Sequence, residues 1–97
     1  MSKKLECIPT KLKVSVTQKH IDKGKPHNPE YCPIAYAMRD LGFKDLDVGG
    51  SDVTGTLGGF TTTYYGPAKN DIFVQKFDSG EKVKPFTFVA DLAEVQR

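Results

Sequence analysis

The chain has no tryptophan, two cysteines, two histidines and no arginine before Arg39. Each scarcity excludes something. Two cysteines are too few for a disulfide scaffold. No apolar run approaches the roughly 18 residues of a membrane-spanning helix. The opening Met1-Ser2-Lys3-Lys4-Leu5-Glu6 has no apolar stretch behind its lysines, so a signal peptide is not expected. The expected setting is a reducing cytoplasm with Cys7 and Cys32 as free thiols. Arginine is the preferred fork for phosphate and guanine, so its absence from the basic opening segment argues against a dedicated reader of DNA sequence.

What is present is a small chain of 97 residues, 38% hydrophobic and 27% charged, with net charge +2. That length allows one domain with a thin core. The hydrophobic content is too high for a disordered chain. Four tyrosines and six phenylalanines supply large apolar faces. The charge is uneven: residues 1–25 carry net +5, and residues 26–97 carry net −3. A basic opening segment can suit an anionic partner, but a solvated charged face is its ordinary explanation.

Residues 1–10 read as a flexible lead-in broken at Pro9, and residues 11–97 as one domain. Leu12, Val14 and Val16 alternate with Lys11, Lys13 and Ser15, the period of a strand with one wet face. Thr17 suits an N-cap for a short helix over 18–23, with Gly24 as a left-handed stop. Pro26 and Pro29 make the next stretch a loop. Pro33 suits the first turn of a second helix. Its apolar stripe would be Ile34, Ala37, Met38 and Leu41, with Arg39 and Asp40 outward and Gly42 at the end.

Strands are expected over 43–48, 53–57 and 60–65, joined by glycine turns. Phe60, Thr62 and Tyr64 share one face of the last of these; Thr61, Thr63 and Tyr65 share the other. Gly66-Pro67 opens a third helix, with Ile72, Phe73, Lys76 and Phe77 on its apolar side and Gly80 at its end. A final strand is expected over 83–89, with Pro85 pointing to an edge or to a strand start, and residues 91–97 as a helical turn or frayed. The fold class is α+β: a two-layer sandwich with a small, mostly antiparallel sheet of four to five strands and two main helices.

The chemical motifs mostly exclude. Gly49 to Gly59 is glycine-rich but lacks the lysine of a phosphate-gripping loop, so hairpin turns account for it. A mobile ligand-closing loop is the alternative. Asp45-x-Asp47 begins like a calcium loop, but Gly49 and Thr56 stand where further ligands are needed. Cys7, His20, His27 and Cys32 are the right residue types for zinc, in a spacing that matches no common finger. Cys32 beside a histidine would be the thiol alternative, but Pro33 removes the following amide as an oxyanion donor. No enzyme, cofactor or metal is expected.

The pattern Val14-x-Val16-Thr17-Gln18-x-His20-Ile21-x-x-Gly24, then Cys32-Pro33-Ile34-Ala35-x-Ala37, then Phe77-Asp78-x-Gly80-x-x-Val83-x-Pro85-Phe86-x-Phe88 resembles a group of small uncharacterised phage proteins. The likeness spans most of residues 12–89, and its motifs are caps, helix starts and a final strand. It implies a phage accessory protein acting in the bacterial cytoplasm against host defence. One form of that role is sequestration of an anionic nucleotide signal. The other is direct blocking of a defence protein, such as a CRISPR nuclease. A small zinc- or thiol-dependent enzyme is the third reading. For sequestration the candidate ligand-binding residues are Lys11, Lys13, His20, Thr61, Thr63 and Tyr65. The expected partners are an anionic small molecule or a host protein, with a homo-oligomer as an open option and neither membrane nor sequence-specific DNA.

Overall fold

The computed structural model describes residues 8–96. The first strand, β1 (Lys11–Val16), alternates exposed and buried positions along its whole length. Helix α1 (Gln18–Lys23) follows, capped by Thr17. Helix α2 (Pro33–Asp40) starts on its proline, which has no amide hydrogen to leave unpaired. Then come β2 (Lys44–Val48), β3 (Asp52–Leu57) and β4 (Phe60–Tyr65). Helix α3 (Ala68–Asp78) leads to the long final strand β5 (Phe86–Gln96).

The five strands form one antiparallel sheet in the order β1-β5-β4-β3-β2. The architecture is α+β, with the helices on one face of the sheet. Helix α2 lies against β1 and β2, and Phe73 of α3 packs on Phe86 with ring centroids 4.7 Å apart. Between them sits a single core that includes Val14, Val16, Ile34, Met38, Leu46, Val53, Tyr64 and Phe88. Burying one such side chain contributes about 1.5–3 kcal/mol. Tyr64 is fully buried, and its hydroxyl donates to the carbonyl of Pro9 at 2.7 Å. The Gly58-Gly59 hairpin is a two-residue loop with both glycines at positive φ (59° and 86°), the geometry that matches the twist of paired strands.

Several expectations need correction. The final strand runs from Phe86 to Gln96, not over 83–89, and residues 91–96 are neither helical nor frayed. Strand β5 is interior: Lys11 to Val16 pair with Asp91 to Phe86 on one side, and Thr61 to Tyr65 pair with Gln96 to Asp91 on the other. Pro85 stands just before the paired region, where its missing N–H costs nothing. The edges are β1 and β2. Lys11 and Lys13 on β1 are the kind of edge charge that discourages a further strand.

Gly24 is not left-handed; its φ is −65°. The position requires glycine for space, since a Cβ there would sit 2.5 Å from Cδ of Pro33. Leu41 is 45% exposed, because α2 stops at Asp40 and the stripe ends at Met38. Arg39 does not point freely outward: its guanidinium lies 4.6 Å from the Tyr31 ring centroid. Ile72 is 54% exposed, so only Phe73 of the α3 apolar side is buried.

Candidate functional site

The six residues expected to hold a ligand do not converge. Lys11, Lys13, Thr61, Thr63 and Tyr65 do share the uncovered face of the sheet, but β5 runs between the lysines and the β4 residues. That intervening strand brings acids with it. Lys11 pairs with Asp91 at 2.7 Å, and Asp91 is also the register partner of Tyr65. Glu94 stands opposite Thr63. An anion placed on this face would meet two carboxylates beside the two lysines.

His20 is elsewhere. It is buried on α1, where Nδ1 accepts the Thr17 amide at 2.9 Å and Nε2 lies 2.6 Å from Oδ2 of Asp40. Thr17 Oγ1 accepts the His20 amide in return, completing a capping box in which histidine takes the usual glutamate position. Nδ1 is spent on the cap of α1 and Nε2 on holding α1 to α2.

The thiol and zinc readings also find little. Cys7 lies outside the described residues. Cys32 is buried, which pushes its thiol pKa up; the nearby Asp78 carboxylate pushes the same way, and the amides of Ala35 and Ile34 oppose them. A thiol held neutral is a poor nucleophile. It lines a cleft of about 400 Å³ with His27, Asp71 and Asp78. The His27 amide donates to Asp78 at 2.9 Å. Among the described residues no three His, Cys, Asp or Glu side chains converge to hold a metal ion.

A second cavity, of about 380 Å³, has a different character. It runs between α3 and the segment 82–86. On α3 the stripe Lys69, Ile72, Phe73 and Lys76 follows the i, i+3, i+4, i+7 spacing of one helix face. Gly80, at φ 82°, reverses the chain after the helix, and the Glu81 amide donates to the carbonyl of Lys76 at 2.9 Å. The chain then returns along α3 as Lys82, Val83, Lys84, Pro85 and Phe86. The floor is apolar and partly aromatic, with Phe73 and Phe86 in contact. The rim holds Lys69, Lys76, Lys82 and Lys84, and no acid lines it. Lys69 is fixed: its Nζ donates to the carbonyl of Thr87 at 2.8 Å and sits 5.8 Å from the Phe86 ring centroid.

Aromatic faces take planar groups, and lysines placed beside them take phosphate or carboxylate. The volume falls within the usual range of ligand sites, about 300–1,000 Å³. Sequence reasoning noted Lys76 as a stem within an apolar side, but it missed Lys69, Lys82 and Lys84. The available signal was Lys82-x-Lys84-Pro85, a basic extended stretch directly after a helix that ends on glycine.

A third feature is a stack of cations on tyrosines. The Arg39 guanidinium lies beside both the Tyr31 and the Tyr36 ring, whose centroids are 6.1 Å apart, with Lys25 over the first ring at 5.7 Å and Lys23 over the second at 5.2 Å. Tyr31 is 40% exposed. No described helix is long and apolar enough to cross a membrane. No family model matches the chain, and neither does any curated protein or solved structure.

Proposed function

We propose that this is a non-enzymatic binding protein that sequesters an anionic ligand of nucleotide type, and that its site is the lysine-rimmed groove between α3 and residues 82–86. The observation that carries the reading is the groove's composition: four lysines round an apolar, partly aromatic floor, with no acid among the lining residues. A base would lie on the Phe86 side of the floor and its phosphate would meet the lysines. Sequestration needs no catalytic group, which agrees with a cysteine held neutral by burial. It also suits the phage accessory role, in the bacterial cytoplasm, that the sequence resemblance implies.

The test is thermal melting of the purified chain against a panel of linear and cyclic nucleotides. A ligand at a thousandfold excess over its Kd stabilises by about 4 kcal/mol. A variant with Lys69, Lys76, Lys82 and Lys84 all changed to Gln loses the shift, and a K11Q/K13Q variant keeps it. Absence of a shift with every nucleotide overturns the proposal.

The second reading, a blocker of a host defence protein, is favoured by the cluster of Tyr31, Tyr36 and Arg39, since tyrosine and arginine dominate the energetic centres of protein interfaces. It predicts co-elution with a host protein that Tyr31→Ala abolishes and the four-lysine variant does not.

A further inference from the structure

We infer that the β1 edge docks an extended acidic segment of a partner protein, which joins the five-stranded sheet as a further strand antiparallel to β1. The inference stands apart from the groove and rests on the hydrogen-bonding phase of β1. The Leu92 amide donates to the carbonyl of Thr10 at 2.8 Å. These two residues are directly opposite when the register is carried one step back from Lys11 and Asp91. In an antiparallel pair, opposed residues that exchange backbone bonds alternate with opposed residues that do not. Leu12, Val14 and Val16 therefore turn their amides and carbonyls toward β5, and Lys11, Lys13 and Ser15 turn theirs outward. The side-chain contacts Lys11–Asp91 at 2.7 Å and Ser15–Thr87 at 3.2 Å agree, since side chains stand closest at the pairs without backbone bonds. Among the described residues no backbone bond takes up the outward groups of Lys11, Lys13 or Ser15.

The opposite edge is blunted. Strand β2 has a register shift between Lys44 and Asp47, Asp45 stands at φ 52°, and the Val48 amide donates to the carbonyl of Pro29 at 2.9 Å. Strand β1 is regular over all six residues. Its charges choose the partner. Lys11 is held by Asp91, while Lys13 is exposed and has no ion-pair partner among the described residues. A second copy of β1, in the antiparallel register that pairs all three outward residues, would set Lys13 against Lys13. Like charges directly opposed destabilise a strand pair. The lysines that repel a copy of the chain thus favour a strand with acids at alternate positions. An acid opposite Lys13 would have its Cα about 5.5 Å away, within reach of the ammonium.

The experiment is calorimetric titration of the full chain with a capped peptide of the length of β1 in which glutamate and threonine alternate. Counterparts with glutamine or lysine in place of glutamate are the controls. The glutamate peptide should bind at least tenfold more tightly than the glutamine one, and the lysine peptide should not bind. Lys13→Gln should weaken the glutamate peptide at least fivefold, with an unchanged melting curve for the free protein, because the charge it removes has no partner. N-methylation of the glutamate amides, which face the outward groups of β1, should abolish binding, and N-methylation of the threonine amides should not. Equal affinity for the glutamate and glutamine peptides overturns the acidic partner. Binding that survives methylation of the glutamate amides overturns strand addition in favour of charge attraction alone. Loss of binding in K69Q/K76Q places the peptide in the groove and overturns the edge. Failure of all three peptides to bind overturns the inference while leaving the nucleotide reading of the groove untouched.

Discussion

His20 Nε2 lies 2.6 Å from Asp40 Oδ2, joining α1 to the end of α2 across twenty residues of chain. Because Nδ1 accepts the Thr17 amide, the ring's hydrogen is on Nε2 and is donated to the carboxylate. The pair fixes the tautomer, the α1 cap and the angle between two helices together. The hydrogen bond from His20 is the main reason the Asp40 carboxyl titrates below its ordinary 3.8; desolvation opposes it, and the charges of Lys23 and Lys19 act in the same direction as the bond.

Asp40→Asn therefore lowers stability. The carboxylate is exposed, so solvent screening limits the loss to about 0.5–1 kcal/mol, or a few degrees in Tm. Asp40 binds protons less readily folded than unfolded, so its contribution is full above its ordinary value and fades as pH falls through the lower folded-state value. Urea melts at about pH 6 and about pH 2 should show parent and variant differing at the first and converging at the second. A difference that persists unchanged in acid would mean the carboxylate's charge is not the source.

Gly24 and Gly80 are required for different reasons, and alanine at each separates them. Gly24 has an ordinary φ of −65°, but a Cβ would meet Pro33 at 2.5 Å. Gly24→Ala forces apart the start of α2 and costs about 1–3 kcal/mol. Gly80 has open space around it and a φ of 82°. Gly80→Ala costs about 1 kcal/mol through backbone strain alone. Chemical denaturation should rank Gly24→Ala as the more damaging. The reverse order would contradict the contact with Pro33.

A chain ending at Asp91 should not fold cooperatively. It loses the partners of Thr61, Thr62, Thr63 and Tyr64 in β4, along with the Leu92 amide that donates to the Thr10 carbonyl at 2.8 Å. A sheet cut at its interior strand exposes β4 as an unpaired edge above a thin core. Circular dichroism melting reads the outcome directly: a sharp transition near that of the parent would show the last residues to be dispensable.

Cys32 is 4% exposed, and burial holds its thiol neutral. In a Cys7→Ser background it should react with iodoacetamide on the order of a hundredfold more slowly in the native protein than in denaturant, because reaction waits on opening. Equal rates would place the sulfur at the surface.

Local chemistry was largely legible. The alternation of Leu12, Val14 and Val16, the Thr17 cap, Pro33 at a helix start, and the Gly58-Gly59 turn are each fixed by one short stretch of chain. The failures were non-local. Residues 91–96 mix acids, alanine and small apolar groups with no clean period, and they become a strand because β4 supplies their pairing partners, with β1 reaching only as far as Asp91. The same placement sets Asp91 beside Lys11 and Glu94 opposite Thr63 on the face where an anion had been expected.

By itself the sequence determined that this is one small α+β domain, with its first four strands and its helix starts close to where they occur, since these follow from side-chain period and backbone freedom over a few residues. Only the tertiary structure decided which charges meet. The net charge of residues 26–97 is −3, yet four of their lysines gather round one apolar groove with no acid among its lining residues. Helix periodicity puts Lys69 and Lys76 on one side, and a reversal at a single left-handed glycine returns Lys82 and Lys84 to face them. Charge counted along a chain is blind to that reversal.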